Sequence, residues 1–300
     1  MPKLCAIQLG LSMSFAFQSR SRAGHQVRVI AGEQIGKALA SAHGGGDFDK
    51  TVHSLRRRCK KVRGLLRLVQ PNFADFKKEN AALRDAANLL GGARDARVIV
   101  ETLDGLTIPG HSQAAREYLV ARAKRSEAAS KKQNPLEQFA EIFEKIGDRA
   151  KEWSFDTNGF DLVGDGLEKT YRHFLRDFDG AEGEQTATAM HEWRKQAKYH
   201  WYHVTLLAKS AADLLEPRAK ALDHLGENLG DHHNLAVLTD VLNAAEEDLG
   251  DLGPILVAVA KRQEELGEQA FALGHQLAAE KPGALRKRFE SYWSLLPEKG

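Results

Sequence analysis

One face of the segment from Val52 to Val69 carries side chains that can bind anions. When the segment is drawn as a helix with about 100° per residue, most of its basic side chains fall on one side. They are His53, Arg56, Arg57, Lys60, Arg63 and Arg67. Lys61 lies at the border of this row, and Arg58 lies off it. The opposite side is apolar and consists of Val52, Leu55, Cys59, Val62, Leu66 and Val69. The pattern predicts a helix with one core face and one cationic face.

The chemistry of this cationic row suits an extended ligand that carries phosphate groups. At 1.5 Å per residue, the distance from His53 to Arg67 is roughly 20 Å, which is more than a single phosphate needs. Guanidinium groups bind phosphate oxygens through paired hydrogen bonds, and lysine adds a point charge. Few acidic residues interrupt the row, and like charges at helical spacing repel one another. We therefore predict that the face binds a polyanion, with a solvated face that has no partner as the alternative.

The cationic segment occurs twice. Residues 52–61, VHSLRRRCKK, align with residues 190–199, MHEWRKQAKY. Both copies read apolar, His, two positions, Arg, a basic residue, two positions, Lys. Downstream, residues 90–98, LGGARDARV, align with residues 229–237, LGDHHNLAV, at nearly the same offset. The pattern indicates a duplicated helical unit whose halves are related by an approximate two-fold axis.

The second copy has a thinner cationic row and more aromatic residues. Its polar side is predicted to carry His191, Arg194, Lys195, Lys198, Tyr202 and Lys209. The Tyr202 hydroxyl could donate a hydrogen bond to a phosphate oxygen, and Trp201 is expected to pack at the edge of a bundle. His53 and His191 stand at the front of the two rows, where each imidazole either contacts the ligand or is hydrogen-bonded into the bundle.

Metal and catalytic chemistry find little support in the sequence. His232 and His233, with His224 and Asp231 nearby, lack the HExxH pattern or cysteine pair that would support a metal site. No P-loop, GxSxG elbow or dinucleotide-binding fingerprint is present. We therefore expect a protein that is not an enzyme and needs no metal or cofactor.

Composition limits the class of protein. The 300 residues are 28% charged and 42% hydrophobic, which is typical of a folded, water-soluble chain. The formal net charge of +2 does not indicate a polyanion partner, so that inference depends on local clustering. Two cysteines give no disulfide framework, and no apolar run reaches the roughly 18 residues of a membrane span. These features favour a cytoplasmic protein with no membrane contact, whether monomer or homodimer.

The periodicity predicts an almost entirely helical chain. Apolar residues recur at intervals of three and four, and alternating strand patterns are missing. We assign residues 1–26 to an N-terminal extension, with Met13 as an alternative start, and residues 27–297 to the helical domain. Its halves cover about 27–133 and 135–297, separated by a lysine-rich stretch from Ser126 to Asn134 that is predicted to be a linker or an exposed excursion.

The two histidine segments and the two downstream segments, in this order, resemble the signature of the CHAD (conserved histidine α-helical domain) family. The resemblance runs from about Val27 to the C-terminus, and residues 191–202, HEWRKQAKYHWY, are especially close to one common version of the second motif. It implies an all-α fold of two four-helix bundles with pseudo-two-fold symmetry, whose basic residues face a central groove or pore. It also implies binding of inorganic polyphosphate and, in some members, association with polyphosphate granules.

The resemblance also implies which residues bind the ligand. By position these are His53, Arg56, Lys60, Lys61, Arg63, His191, Arg194, Lys195 and Lys198. Our predicted binding set adds Arg57, Arg67, Arg94 and Tyr202. The chain departs from the family at Tyr199 and Trp201, where many members are basic, and at Asn234, where aspartate is frequent. The second half is therefore expected to contribute less charge.

Two other functions use some of the same residue types. A helical nucleic-acid-binding protein would contact the phosphate backbone with the same side chains. Such proteins usually add base-edge contacts or exposed stacking aromatics, which the row from His53 to Arg67 lacks. A phosphohydrolase would need a metal or an activated nucleophile, and the Glu-x-Glu-x-Lys strand of the triphosphatase domain fused to some CHAD proteins is not found. The sequence thus favours a stand-alone polyphosphate-binding form.

Overall fold

Helices form all the regular structure of the described residues, 15–108 and 112–299, in this computed structural model. The α-helices are α1 (Ala23–His43), α2 (Phe48–Leu68), α3 (Phe76–Asn88), α4 (Gly91–Asp104), α5 (Gln113–Lys131), α6 (Pro135–Lys151), α7 (Asp161–Glu184), α8 (Ala187–Leu207), α9 (Ala212–Asn243), α10 (Glu246–Leu249), α11 (Gly253–Ala278) and α12 (Pro282–Trp293). Two short 3₁₀ turns cover Gln70–Asn72 and Ala208–Ser210. The prediction of an all-α fold is confirmed.

The two repeat helices, α2 and α8, begin with the same kind of cap. The Asp47 carboxylate accepts a hydrogen bond from the backbone N–H of Lys50 at 3.0 Å. The Thr186 hydroxyl accepts one from the backbone N–H of Ala189 at 3.1 Å. Each cap satisfies one of the free N–H groups of the first helical turn. Both helices therefore start a few residues before their histidine.

Corresponding helices of the two halves make corresponding contacts. In the first half, α1 packs against α2 and α6, and α2 packs against α3. In the second half, α7 packs against α8 and α12, and α8 packs against α9. This agreement follows the sequence repeat, and the two-fold axis itself stays a prediction.

Apolar side chains form two clusters. The larger one joins both halves through α1, α2, α3, α6, α7, α8, α12, the first part of α9 and the last part of α11. The smaller one lies between the α4–α5 pair and the α9–α11 pair and is built from Ile99, Leu103, Ala115, Leu119, Leu235, Leu238, Leu242, Leu252, Ile255, Val259 and Leu266. The halves therefore meet along α2 and α8 and again along α4 and α9.

Part of the predicted N-terminal extension packs against the helices. Phe15 and Phe17 are buried, and the backbone N–H of Phe17 donates to the carbonyl of Leu206 at 2.9 Å. Because α1 starts at Ala23, the packed body begins before residue 27. The alternative start at Met13 lies outside the described residues.

Helix continues through two places where an interruption would be expected. The proposed linker from Ser126 to Asn134 is largely the end of α5, which continues to Lys131. Pro217, a residue type that usually ends or kinks a helix, lies inside α9, in its second turn. Among the described residues, no helix combines the length and the apolar character required to span a bilayer.

Candidate functional site

The two repeat helices touch at Gly64 of α2. A Cβ at this position would lie 2.8 Å from atoms of the Tyr202 side chain on α8. The carbonyl oxygen of Gly64 also lies 3.1 Å from Nε2 of His203, so this imidazole nitrogen is assigned as the donor. Only glycine allows the two helices to approach so closely. The contact places the cationic rows of α2 and α8 side by side.

Four cations from the two helices gather beside this contact. They are Arg56 and Lys60 from α2 and Arg194 and Lys198 from α8, and we call them the central cluster. Lys60 is exposed, yet the surrounding protein desolvates its ammonium group and the other three cations repel it. These effects lower the pKa of Lys60 to about 8, against a smaller opposing effect of Asp95. The cluster is therefore an electrostatically unfavourable arrangement that a bound anion would stabilise.

Carboxylates balance part of this charge. Arg56 donates a hydrogen bond to Asp95 of α4 at 3.1 Å, and Lys198 donates one to Asp223 of α9 at 3.1 Å. Within the described part of the chain, no ion pair involves Lys60 or Arg194. Two of the four cations therefore lack a carboxylate partner among the residues that the structure describes.

Glycines of the repeated Leu-Gly segments make room for the two arginines. A Cβ at Gly91 would lie 3.4 Å from Nη1 of Arg56, and a Cβ at Gly230 would lie 3.4 Å from Nε of Arg194. Both separations are at the tight end of ordinary carbon contacts. The downstream segments of the repeat thus flank the arginines of the histidine segments. This proximity gives a structural reason why the histidine segment and the downstream Leu-Gly segment are repeated together in the two halves.

Each histidine at the front of a row faces a basic residue from the downstream segment. Arg94 is the strongest of the charges that act on His53 and, after desolvation, lowers its pKa. His191 packs in a tilted arrangement against His233, the residue aligned with Arg94, with ring centroids 4.3 Å apart. Desolvation, with His191 and Arg194 nearby, lowers the pKa of His233 to about 4. At neutral pH both histidines of this pair are therefore expected to be neutral.

Arg94 links this region to an adjoining cavity. Its guanidinium lies 3.8 Å from the Glu101 carboxylate. With Asp231, Asn234 and Arg262, it lines a cavity of about 410 Å³ between α4, α9 and α11. The lining carries both signs of charge, so the cavity is less cationic than the central cluster.

Two predicted binding residues lie farther along α2. Arg63 donates from Nε to the side-chain oxygen of Asn80 on α3 at 3.1 Å. The Arg67 guanidinium stacks on the ring of Tyr199 from α8, 4.1 Å from its centroid, and lies 5.9 Å from the ring of Phe76. The cationic row therefore leaves the central cluster and runs between α3 and α8.

Three other predicted binding residues lie to the side. Lys61 sits over the Phe15 ring at 4.6 Å, and desolvation with the charges of Arg58 and Arg57 lowers its pKa to about 8. Arg57 is exposed on this side of α2. Lys195 is exposed and pairs with Glu192 one turn earlier at 2.6 Å. These three residues are not brought into the central cluster.

The predicted position of Tyr202 on the polar side of α8 is wrong. Its side chain is only 5% exposed, lies against Gly64 and makes an edge contact with Phe15. Burial raises the pKa of its phenol. The cause is the close contact of α2 and α8, which covers the face of α8 that a helix wheel leaves open to solvent.

Sequence reasoning missed the carboxylate partners of the cluster. Asp95 lies inside a repeated segment, which is a signal that could have drawn attention to it. Asp223 has no such signal, because only the packing of α9 on α8 brings it to Lys198. Among the described residues, no group of three or more His, Cys, Asp or Glu side chains could hold a metal ion.

Comparison with known proteins identifies the family. The chain matches the CHAD domain over residues 30–243. The Uncharacterized protein MT2285 of Mycobacterium tuberculosis (strain CDC 1551 / Oshkosh) is 28% identical in an alignment 252 positions long, which covers 75% of this chain and 48% of that protein. The chain therefore spans about half the length of that curated relative.

Two solved structures have a similar fold. The CHAD domain from the plant Ricinus communis gives a TM-score of 0.60 at 17% identity and covers 94% of each chain. PptA from Streptomyces chartreusis gives a TM-score of 0.59 at 15% identity and covers 86% of this chain and 99% of its own. At these identities the similarity concerns the fold alone. Because the family match covers well over half of the chain and the fold agrees with it, this protein belongs to the CHAD domain family.

Proposed function

We propose that this CHAD domain binds inorganic polyphosphate, without catalysing a reaction, on the cations that α2 and α8 bring together. The observation that carries the proposal is the position of Lys60 among Arg56, Arg194 and Lys198. Four cations from two halves repel one another when no ligand is present. A phosphate chain would place a negative charge beside each of them. Membership of the CHAD family supports this choice of polyanion.

The extent of the cationic row favours a chain over a single phosphate. The row starts with His53 and Arg94, passes the central cluster and continues to Arg63 and Arg67. Along α2 alone this path is roughly 20 Å long. A ligand with one charge per unit along its length would neutralise several of these cations at once. Such binding would also bring the protein to polyphosphate granules where they form.

The protonation of Cys59 and the ion pair of Asp95 agree with binding without catalysis. Cys59, which lies on α2 next to Lys60, is buried, and burial raises the pKa of its thiol to about 12. At neutral pH it is therefore a thiol and a poor nucleophile. The Asp95 carboxylate, which could act as a base, is paired with Arg56. Asp95 therefore balances the charge of Arg56, and Cys59 stays a neutral thiol.

The aromatic residues near the cluster favour polyphosphate over nucleic acid. Proteins that bind single-stranded nucleic acid stack bases on exposed aromatic rings. Here Arg67 covers the ring of Tyr199 at 4.1 Å, and the Lys198 ammonium lies over Trp201 at 4.3 Å. Tyr202 and Trp193 are buried. Rings already occupied by cations are poor platforms for bases.

A competition titration tests the proposal. Long-chain polyphosphate and single-stranded RNA compete for the wild-type protein at about 0.15 M ionic strength. We expect polyphosphate to displace RNA. Lys60→Gln should weaken polyphosphate binding about tenfold, because one charge-assisted contact is worth about 1.5 kcal/mol or more. Adding Arg194→Gln should weaken it further, since this arginine also forms no ion pair with any carboxylate that the structure describes.

The matched control is Lys287→Gln, which removes the same charge from an exposed position on α12. We expect this variant to bind like the wild type. Circular dichroism checks that all variants remain helical. Preferential binding of RNA would make a nucleic-acid-binding protein the better description. Equal losses for Lys60→Gln and Lys287→Gln would show that polyphosphate does not bind at the central cluster.

A further inference from the structure

Helix α7 lies directly beside the end of α2. A Cβ at Gly166 of α7 would overlap the backbone carbonyl of Leu68, so the two backbones are in contact there. Lys169 and His173 follow Gly166 by about one and two helical turns and lie on the neighbouring part of the same helix surface. The packing therefore places two basic residues of α7 next to the C-terminal end of the cationic row.

His173 and Arg67 are close enough to interact electrostatically. His173 is half-buried, and desolvation together with Arg176, Lys169 and Arg67 lowers its pKa, while Asp177 opposes them. The Asp177 carboxylate is engaged by Arg176 at 2.6 Å. The Asp177 carboxylate, which opposes the lowering of the His173 pKa, is thus already paired with another cation.

Neither Lys169 nor Arg67 has a carboxylate partner among the residues that the structure describes. The Nε atom of Arg67 is also buried without a hydrogen-bond partner in that part of the chain. Its guanidinium is held flat against Tyr199, which fixes its orientation. This region therefore combines unpaired positive charge with a positioned guanidinium, as the central cluster does.

We propose that the phosphate-binding path continues from α2 onto α7, where Arg67, Lys169 and His173 form a distal subsite for long polyphosphate chains. The proposal rests on the proposed function and extends it to the choice of chain length. Lys169 supplies a point charge, Arg67 a planar set of donors, and His173 an imidazole that a nearby phosphate would favour in its charged form.

The separation of the two regions makes binding depend on chain length. Lys60 and Arg67 are seven residues apart, which is roughly 10 Å along α2. A short oligophosphate bound at the central cluster leaves the distal subsite empty. A long chain can occupy both regions at once, and the second contact then forms at high effective concentration. The distal subsite therefore raises affinity for long chains only.

The test measures the affinity of tripolyphosphate and of long-chain polyphosphate for the full chain. The variants are Lys169→Gln/His173→Gln and the single substitution Lys169→Gln, which serves if the double variant does not fold. The matched control is Arg172→Gln, which removes one charge from the same helix at an exposed residue that pairs with Glu168. We expect the double variant to lose about tenfold in affinity for the long chain. We expect its affinity for tripolyphosphate, and both affinities of the control, to match the wild type.

Each other outcome has a definite meaning. If the substitutions change neither affinity, or weaken both ligands equally, α7 does not form a distal subsite. If Arg172→Gln has the same effect as Lys169→Gln, the general charge of α7 is responsible and the proposed subsite is wrong. If the wild-type protein binds neither ligand, the proposed function itself fails, whereas loss of the chain-length effect alone leaves that function standing.

Discussion

Raising the pH from 7 to 9 is expected to weaken polyphosphate binding, because it removes the proton from Lys60. The pKa of Lys60 in the free protein is about 8, against an ordinary value of 10.5, because its ammonium is desolvated and lies among three other cations. A bound phosphate chain favours the charged form and raises this pKa. Binding is therefore coupled to proton uptake above pH 8, and affinity falls as the pH rises.

The size of the effect follows from the two pKa values. The protonated fraction of Lys60 falls from about nine-tenths at pH 7 to about one-tenth at pH 9. If the bound ligand restored the ordinary pKa completely, affinity would fall by about tenfold between these pH values. Because Lys60 is exposed, solvent screens part of the interaction. We therefore expect a decrease of about threefold to tenfold.

The assay is the dissociation constant of long-chain polyphosphate at pH 7, 8 and 9 and constant ionic strength. Lys60→Arg should bind with little pH dependence, since arginine stays charged throughout this range. Lys61→Arg is the matched control, because Lys61 has a similar pKa but faces Phe15. It should keep the pH dependence of the wild type. Equal affinity of the wild type at pH 7 and 9, or an unchanged dependence in Lys60→Arg, would refute the reasoning.

Two further predictions concern stability. The buried His203 has a pKa of about 3, against 6.5 for the unfolded chain, so only the unfolded state gains its proton as the pH falls below 6.5. The contribution of neutral His203 to the free energy of unfolding is fully present above pH 6.5 and is lost progressively down to about pH 3. By pH 5 the free energy of unfolding has fallen by about 2 kcal/mol. Urea denaturation at pH 7 and pH 5 measures it, and the loss should shrink in His203→Gln; an equal loss in that variant would contradict the assignment. Gly166→Ala should destabilise the protein by about 1–3 kcal/mol, because its Cβ overlaps the Leu68 carbonyl. Gly180→Ala, on the same helix in open space, should be neutral or stabilising by up to about 1 kcal/mol, and similar urea midpoints for the two variants would argue against the close contact of α7 and α2.

Local patterns predicted much of the site because they depend on neighbours along one helix. The three- and four-residue spacing in residues 52–69 correctly separated the core face of α2 from its cationic face. The repeat correctly paired Arg56 with Arg194 and Lys60 with Lys198, which the structure brings into one cluster. Such patterns predict the folded arrangement correctly where a helix packs against other elements on its apolar side only.

The same reasoning fails where a helix is covered on more than one side. Around the contact at Gly64, α8 buries Tyr202, His203 and Val204 in succession. A helix wheel assumes one solvent face, so it assigned Tyr202 to the polar side. It likewise treated Lys61 as a border residue of the binding row, whereas the segment that contains Phe15 covers it. Contacts from outside the helix decided both positions.

The sequence by itself determined that the chain is helical, that its cationic segment is duplicated and which residue types could bind a phosphate chain. The tertiary structure decided which cations meet, which of them have carboxylate partners, and that α7 lies at the end of the row. The physical reason is that periodicity and repeats act within a few residues. The charge around Lys60 instead depends on α8, which is more than a hundred residues away along the chain.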